Sequence, residues 1–268
     1  MRPLDDREFE GICSWLYDES GIYMNESKKM LVSGRLNKRI NQLGLNGFGE
    51  YLKILKSKDD EEVQIAINLL TTNETFFFRE EKHFEFFEKH IIPEFLTNPS
   101  IKVWSAASST GEEAYSFSLL MAKHLGVLKD WKILGTDINT DVLKRARSGI
   151  YPIEGIKHID ESLLKAFCLK GKNKDQEIFR IDDQIRNKVS FTKHNLINVL
   201  PTKSNFDLII LRNVLIYFEL EDKQKIVQNM IQKLKPNGWF LVGHSESING
   251  YSDQLKQYQP GCYRLESS

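Results

Sequence analysis

The sequence has little cysteine, no surplus of either charge and no long apolar run. Three cysteines, Cys13, Cys168 and Cys262, are scattered along 268 residues. An odd, widely spaced set forms neither a disulfide framework nor a metal-ligand pattern. A stapled secreted scaffold is therefore excluded, and the cysteines read as core filler. Lys+Arg and Asp+Glu each number 37, so the net charge is zero. That balance offers no bulk attraction to nucleic acid or to a membrane surface, and any basic partner site must be a local patch. No apolar run is long enough to span a bilayer. The opening residues Met1-Arg2-Pro3-Leu4-Asp5-Asp6 lack the apolar core of a signal peptide. No internal repeat or low-complexity tract is present. These absences lead to the expectation of a cytoplasmic protein. What is present, 28% charged and 41% hydrophobic residues, is ordinary globular composition. The length suits one large domain or two smaller ones.

Residues 1 to about 70 read as helices. Phe9, Ile12, Cys13, Leu16 and Tyr17 recur at helical spacing. Further helical segments are expected from Met24 to Leu43, closed by Gly44, around Phe48 to Leu55, and from Asp60 to Leu70. From about residue 100 short apolar runs alternate with amphipathic helices. Strands are expected at Ile101–Trp104, Trp131–Gly135, Val189–Thr192, Phe206–Leu211 and Trp239–Gly243, with another at Gly261–Leu265. Helices are expected at Glu112–Leu125, Thr140–Arg147 and Glu221–Leu234. The run Phe206–Leu211 is almost continuously apolar, as a strand covered on both faces should be. Such alternation predicts a doubly wound parallel sheet. Residues 151–188 break the pattern and read as an insertion, a small antiparallel subdomain.

The run Thr71-Thr72-Asn73-Glu74-Thr75-Phe76-Phe77-Phe78-Arg79-Glu80 joins the two parts. A plain linker is small, flexible and polar. This one sets amide, hydroxyl and guanidinium donors beside three aromatics. It suits either an aromatic staple between domains or a segment that folds over a ligand with a carboxylate and a flat ring.

The first strand runs into Ser105-Ala106-Ala107-Ser108-Ser109-Thr110-Gly111-Glu112-Glu113. Small residues at a strand-to-helix turn let backbone approach a ligand. With one glycine it is not the dinucleotide fingerprint, and no Gly-Lys-Ser/Thr follows to make a phosphate loop. Two acids opening the helix repel a pyrophosphate and welcome a cationic ligand. S-adenosylmethionine, with its amino group and sulfonium, fits; the alternative is that both acids complement the helix dipole. Asp137 ends the second strand, where an acid accepts from both ribose hydroxyls or else caps the next helix. Asn139 and Thr140 serve that capping role equally well. Asn195 and Leu196 follow the third strand, where an amide and an apolar side chain can read and pack an adenine edge. Arg212 and Asn213 follow the fourth strand, where ligands bind in such sheets. Polar groups there are costly unless paired. Tyr217, in the next turn, either reaches the reacting centre or packs in the core.

With these pieces assembled, the chain resembles the bacterial chemotaxis receptor methyltransferases, the CheR family. The resemblance spans nearly the whole chain. Four motifs carry it, in family order: Thr71–Glu80, the Ser-Thr-Gly-Glu-Glu turn at 109–113, the strand end at Asp137, and Arg-Asn-Val-Leu-Ile-Tyr-Phe at 212–218. Ala114 stands where many members have proline, a helpful but dispensable residue in a first helical turn. The resemblance implies a Rossmann-like S-adenosylmethionine-dependent methyltransferase sheet with an inserted antiparallel β-subdomain, preceded by an all-α domain. It divides the chain into a docking domain 1–70, a linker 71–82 and a methyltransferase domain 83–268. It also implies cofactor contacts from Asn73, Thr75, Arg79, Asp137, Asn195, Leu196, Arg212 and Asn213, with Arg79 near the cofactor carboxylate. Of the two acids, Glu112 is the expected contact to the methionine part. Tyr217 falls near the methyl group, and Tyr217 and Arg79 are expected to orient groups rather than shuttle protons.

The implied reaction is methyl transfer to glutamate side chains on chemoreceptor cytoplasmic helices, leaving S-adenosylhomocysteine. A surface glutamate is ionised at pH 7, so no general base is required. The sulfonium is already a good leaving group, so no metal is required. Lys28, Arg35, Lys38 and Arg39 lie on roughly one helix face and form a candidate docking surface for acidic receptor helices. In the family the insertion can also hold a receptor C-terminal peptide at a strand edge with a glycine-rich loop. Here Gly171–Glu177 holds a single glycine, a departure from that pattern. A monomer is expected, with no nucleic-acid partner and no membrane insertion. Competing readings are a methyltransferase for another acceptor and a non-catalytic module that senses the cofactor.

Overall fold

The computed structural model describes residues 3–57, 59–172 and 175–266. Met1 and Arg2 of the opening segment and Asn173 and Lys174 of the subdomain loop lie outside the described residues.

The first four helices arise from local signals that agree with their apolar faces. Helix α1 (Asp6–Ser20) starts at Asp5, whose carboxylate accepts from the Glu8 N–H while Glu8 reaches back to the Asp5 N–H. This reciprocal cap satisfies two otherwise unpaired donors. Gly21, at φ 76°, ends the helix in the left-handed conformation that glycine adopts without strain. Helices α2 (Lys29–Gln42), α3 (Phe48–Lys56) and α4 (Asp60–Leu70) follow. The expected Met24 start of α2 is moved on, because residues 26–28 form a separate tight turn. Ile12, Leu16, Val32, Leu36, Tyr51, Leu55, Ala66 and Leu70 close a separate core between the four helices.

After the extended run 71–80 come α5 (Glu81–Phe86) and α6 (Ile92–Thr97), joined through a widened π turn at Phe87–Ile91. This helical stretch was not read in the sequence. Its Phe84, Phe87 and Phe95 are buried against the sheet domain.

The main sheet contains β1 (Ser100–Ala106), β2 (Asp130–Asp137), β6 (Val189–Lys193), β7 (Phe206–Leu211), β8 (Leu234–Val242), β9 (Leu255–Gln259) and β10 (Cys262–Leu265). Its order is β6-β2-β1-β7-β8-β10-β9. The five strands from β6 to β8 are parallel, whereas β10 runs antiparallel to both β8 and β9. The sheet is therefore mixed rather than wholly parallel. Strand β9 was not foreseen because its residues, Leu-Lys-Gln-Tyr-Gln, are largely exposed and carry no apolar run. Strand β8 also begins earlier than expected. It runs through Lys235–Gly238, with a register shift opposite Phe206–Leu208.

Helices α7 (Glu112–Leu125), α8 (Thr140–Ser148) and α11 (Leu220–Ile231) cover the sheet. Along β7, Leu208 and Ile210 enter one core and Ile209 and Leu211 the other. That alternation is why a fully buried strand reads as unbroken hydrophobicity. The insertion forms a second sheet, ordered β3 (Ile150–Pro152), β5 (Ile178–Ile181), β4 (Cys168–Lys170), all antiparallel. Two short helices, α9 (Glu161–Phe167) and α10 (Asp183–Arg186), accompany it.

Candidate cofactor cleft

The chain leaves β1 outward to β2 and β6, then returns to β7 on the other side of β1. The strand order thus reverses between β1 and β7, and ligands of such sheets bind outside the carboxyl ends of the strands at that reversal. A cleft of about 1260 Å³, counting its open mouth, lies there. Its floor is residues 107–109, Glu113, Asp137, residues 194–196 and residues 212–214. The linker residues 71–76 and Arg79 form one wall. Ser20, residues 22–24 and Lys28 of the helical part form another, next to Tyr217.

The linker is tied down at several points. The Arg35 guanidinium donates to the carbonyls of Leu70 (2.7 Å) and Thr71 (2.9 Å) and to the Thr72 hydroxyl (3.1 Å). The Ser109 hydroxyl donates to the Asn73 carbonyl at 3.0 Å. The three aromatics divide their work. Phe77 is buried and meets Tyr151 edge-on at 4.9 Å between centroids. Phe78 is half-buried against Phe84, at φ 55°. Phe76 is 44% exposed, lines the cleft and lies beside the Arg79 guanidinium, 5.9 Å from its ring centroid. Phe77 and Phe78 thus fasten the run, while Phe76 and Arg79 border the cleft.

Asp137 is buried, and its two carboxylate oxygens accept from the main-chain N–H groups of Ser109 and Asn139, each at 2.9 Å. Burial raises its carboxyl above the usual range, and these N–H donors work in the opposite direction. Asn139 caps α8 through the Asp141 and Val142 N–H groups, so Asp137 is not needed as the cap. Ala107 and Ser109 adopt left-handed φ of 63° and 49°, and Gly111 lies at 97°. A Cβ at Gly111 would meet the Ala146 Cβ and the Tyr151 hydroxyl, both at 2.9 Å. The turn brings its backbone to the cleft while packing tightly behind.

The two acids of α7 point to different places. Glu113 lines the cleft. It accepts from the Ser105 hydroxyl (2.8 Å) and pairs with Arg212 (3.1 Å). Burial nevertheless holds its carboxyl above the usual range. Glu112, the acid expected from sequence, lies outside the cleft lining and accepts from the Thr110 hydroxyl. Adjacent positions on a helix point about 100° apart, so the two acids face different ways.

Arg212 is almost wholly buried, between Glu113 and Glu80. Glu80 is the residue that sequence reasoning passed over. Its carboxylate also accepts from the Asn213 amide at 3.0 Å and from the His244 N–H at 3.2 Å. Burial acts to raise its pKa, but His83, Asn213 and Arg212 together outweigh it and hold the carboxyl well below the usual range. A second unforeseen acid, Glu246, accepts three main-chain N–H groups, from Gly243 (2.8 Å), Asn213 (2.7 Å) and Leu215 (2.8 Å). It fixes the turn carrying Asn213, whose φ of 55° is left-handed. An acid soon after the apolar end of β8 was the available signal.

Asn73, Thr75, Arg79, Asp137, Asn195, Leu196, Arg212, Asn213 and Tyr217 all line the cleft. Arg79 donates to the Glu74 carbonyl at 2.7 Å. Asn195 donates to the Glu19 carbonyl (3.1 Å) and accepts from the Ile197 N–H (3.2 Å), so its amide ties α1 to the sheet. Of the basic face on α2, Arg35 serves the linker. Arg39 pairs with buried Glu62, which also accepts from Tyr51. Lys28 and Lys38 are exposed. The Ser108 hydroxyl lines the cleft, buried and without a hydrogen-bond partner. Orphaned buried hydroxyls are costly, and this one suits a site built for a polar ligand. No helix among the described residues is long and apolar enough to cross a membrane.

Comparison with known proteins agrees with the geometry. Residues 73–262 match the family described as CheR methyltransferase, SAM binding domain, and residues 7–71 match the CheR methyltransferase, all-alpha domain. The chain is 37% identical over 249 residues to the chemotaxis protein methyltransferase of Salmonella typhimurium, covering 92% of this chain and 85% of that one. It is 38% identical to the Escherichia coli protein of the same name, with 92% and 86% covered. For that of Borreliella burgdorferi the identity is 34% over 268 residues, with 96% and 93% covered. A cleft at the strand reversal, buried acids on its floor and family matches over both parts of the chain lead to one conclusion: this protein belongs to the CheR methyltransferase family and is an S-adenosylmethionine-dependent methyltransferase.

Proposed function

We propose that this enzyme methylates glutamate side chains on the cytoplasmic helices of chemoreceptors, forming glutamyl methyl esters. The observation that carries the reading is the construction of the cleft. Its floor is the methyltransferase sheet, but part of its wall is the α1–α2 connection of the helical domain, through residues 22–24 and Lys28. An acceptor entering there meets the helical domain first, which suits a protein helix.

When bound, the cofactor supplies an electrophilic methyl group on a sulfonium that leaves as a neutral thioether. Asp137 takes the ribose hydroxyls. Glu113, rather than Glu112, takes the cationic amino group, and Arg79 lies toward the carboxylate end. Leu196 packs the adenine, with Asn195 beside it. A lone pair of the acceptor carboxylate would form the new O–C bond as the S–C bond of the bound cofactor gave up its electron pair to sulfur. No proton moves, because the acceptor is already ionised. The work left to the chain is to place the carboxylate in line and exclude water. Tyr217, at the junction of cleft and helical domain, is the candidate for that placement.

Residues 1–70 then act as the docking domain, residues 71–82 as the linker that completes the cofactor wall, and residues 83–268 as the methyltransferase domain. Arg35 and Arg39 are engaged within the chain, so docking of an acidic helix falls to Lys28 and Lys38. Incubation with radiolabelled cofactor and a receptor cytoplasmic fragment tests the function. Base-labile label on the fragment is the expected result. Label on another acceptor, or cofactor binding without transfer, would overturn it.

A further inference from the structure

His83 is wholly buried behind the cleft, and its Nε2 has no hydrogen-bond partner. Buried polar atoms are nearly always paired, so this unpaired ring nitrogen calls for an explanation. Its Nδ1 lies 3.2 Å from a Glu80 carboxylate oxygen. The exposed His244 ring lies 4.3 Å away, centroid to centroid. One ligating atom from each of Glu80, His83 and His244 lies within 4.8 Å of the other two.

Two imidazoles and a carboxylate are the donor set that zinc and its neighbours take, with a fourth position left to water. Metal–ligand distances are about 2.0–2.2 Å, so His244 must swing inward slightly, and its exposure leaves it free to do so. Ligating carboxylates are normally held by outer partners; here the Asn213 amide holds Glu80 at 3.0 Å. A surface depression lined by Lys82, Glu85, Lys89, His90 and His244 gives solvent access at His244.

We propose that Glu80, His83 and His244 form a binding site for a divalent transition-metal ion of the zinc class. Glu80 is shared between this site and Arg212 and Asn213, which line the cofactor cleft, so an ion there draws the carboxylate away from those two residues. The metal is then an inhibitor of cofactor binding, not a participant in methyl transfer. This coupling rests on the cofactor reading above, whereas the metal site itself does not.

The test titrates zinc chloride into the full metal-free chain by calorimetry and records cobalt(II) ligand-field absorption. His244→Ala is the informative variant, because that side chain is exposed and lies outside the cleft lining. The expected result is one ion per chain, with affinity falling about tenfold or more in His244→Ala. Zinc at a concentration that fills the parent site but not that of His244→Ala should weaken S-adenosylhomocysteine binding in the parent protein and leave it unchanged in the variant. Equal zinc affinity in the two proteins, or no binding by the parent, would overturn the site. Zinc bound through His244 with unaltered S-adenosylhomocysteine affinity would overturn the coupling. Failure of the cofactor reading shows separately, as absent S-adenosylhomocysteine binding in metal-free protein.

Discussion

Asp137 holds two main-chain N–H groups and still faces the cleft. Its carboxylate is thus oriented before any ligand arrives. Asp137→Asn keeps the shape but replaces a charged acceptor. Hydrogen bonds to charged groups are worth about 1.5–3 kcal/mol, so S-adenosylhomocysteine affinity should fall by about tenfold or more, measured by calorimetry. Tyr217→Phe should act differently, lowering turnover on a receptor fragment more than cofactor affinity; an unchanged rate would remove Tyr217 from the mechanism. Glu80 has a pH signature. Its folded pKa lies below the ordinary value of 4.5, so its ionised form stabilises the fold fully above that value. That contribution is lost as pH falls from there through the folded pKa. Glu80→Gln should therefore flatten the acid side of the stability profile measured by denaturant unfolding.

At the level of elements, the linker shows how much was legible in the sequence. Its composition suited a staple or a ligand-facing segment; Phe77 is buried as a staple and Arg79 borders the cleft. What could not be read was direction. Glu112 and Glu113 are chemically alike, and only the rotation of α7 sends the second into the cleft. The basic face of α2 was visible as a periodicity, but the carbonyls of Leu70 and Thr71 that engage Arg35 are distant in sequence. Strand β9 escaped because edge strands carry few apolar residues. Two experiments separate the linker's functions. Phe77→Ala removes a buried ring and should cost about 3–5 kcal/mol of stability in thermal or denaturant unfolding. Arg35→Glu should weaken cofactor binding as well as receptor methylation, because it frees the linker, whereas Lys38→Glu should reduce receptor methylation alone.

For the whole molecule, the helical part and the sheet part have separate cores, yet they meet through directed polar contacts. Gln64 donates to the Ile138 carbonyl (3.0 Å), Asn139 to the Asn68 carbonyl (3.0 Å), and the Tyr17 hydroxyl to Asp222 (2.8 Å). Wall and floor of the cleft thus come from parts of the chain that fold around different centres. A ligand seated between them binds only while both are folded and docked. Binding of that kind adds RT ln(1 + [L]/Kd) to the stability of the joined state and nothing to either part alone. Two unfolding transitions in the free protein should therefore merge into one as S-adenosylhomocysteine is added, with a midpoint that climbs with concentration. The cleft makes the small molecule a fastener, and calorimetric cooperativity becomes a gauge of how much of each molecule it holds together.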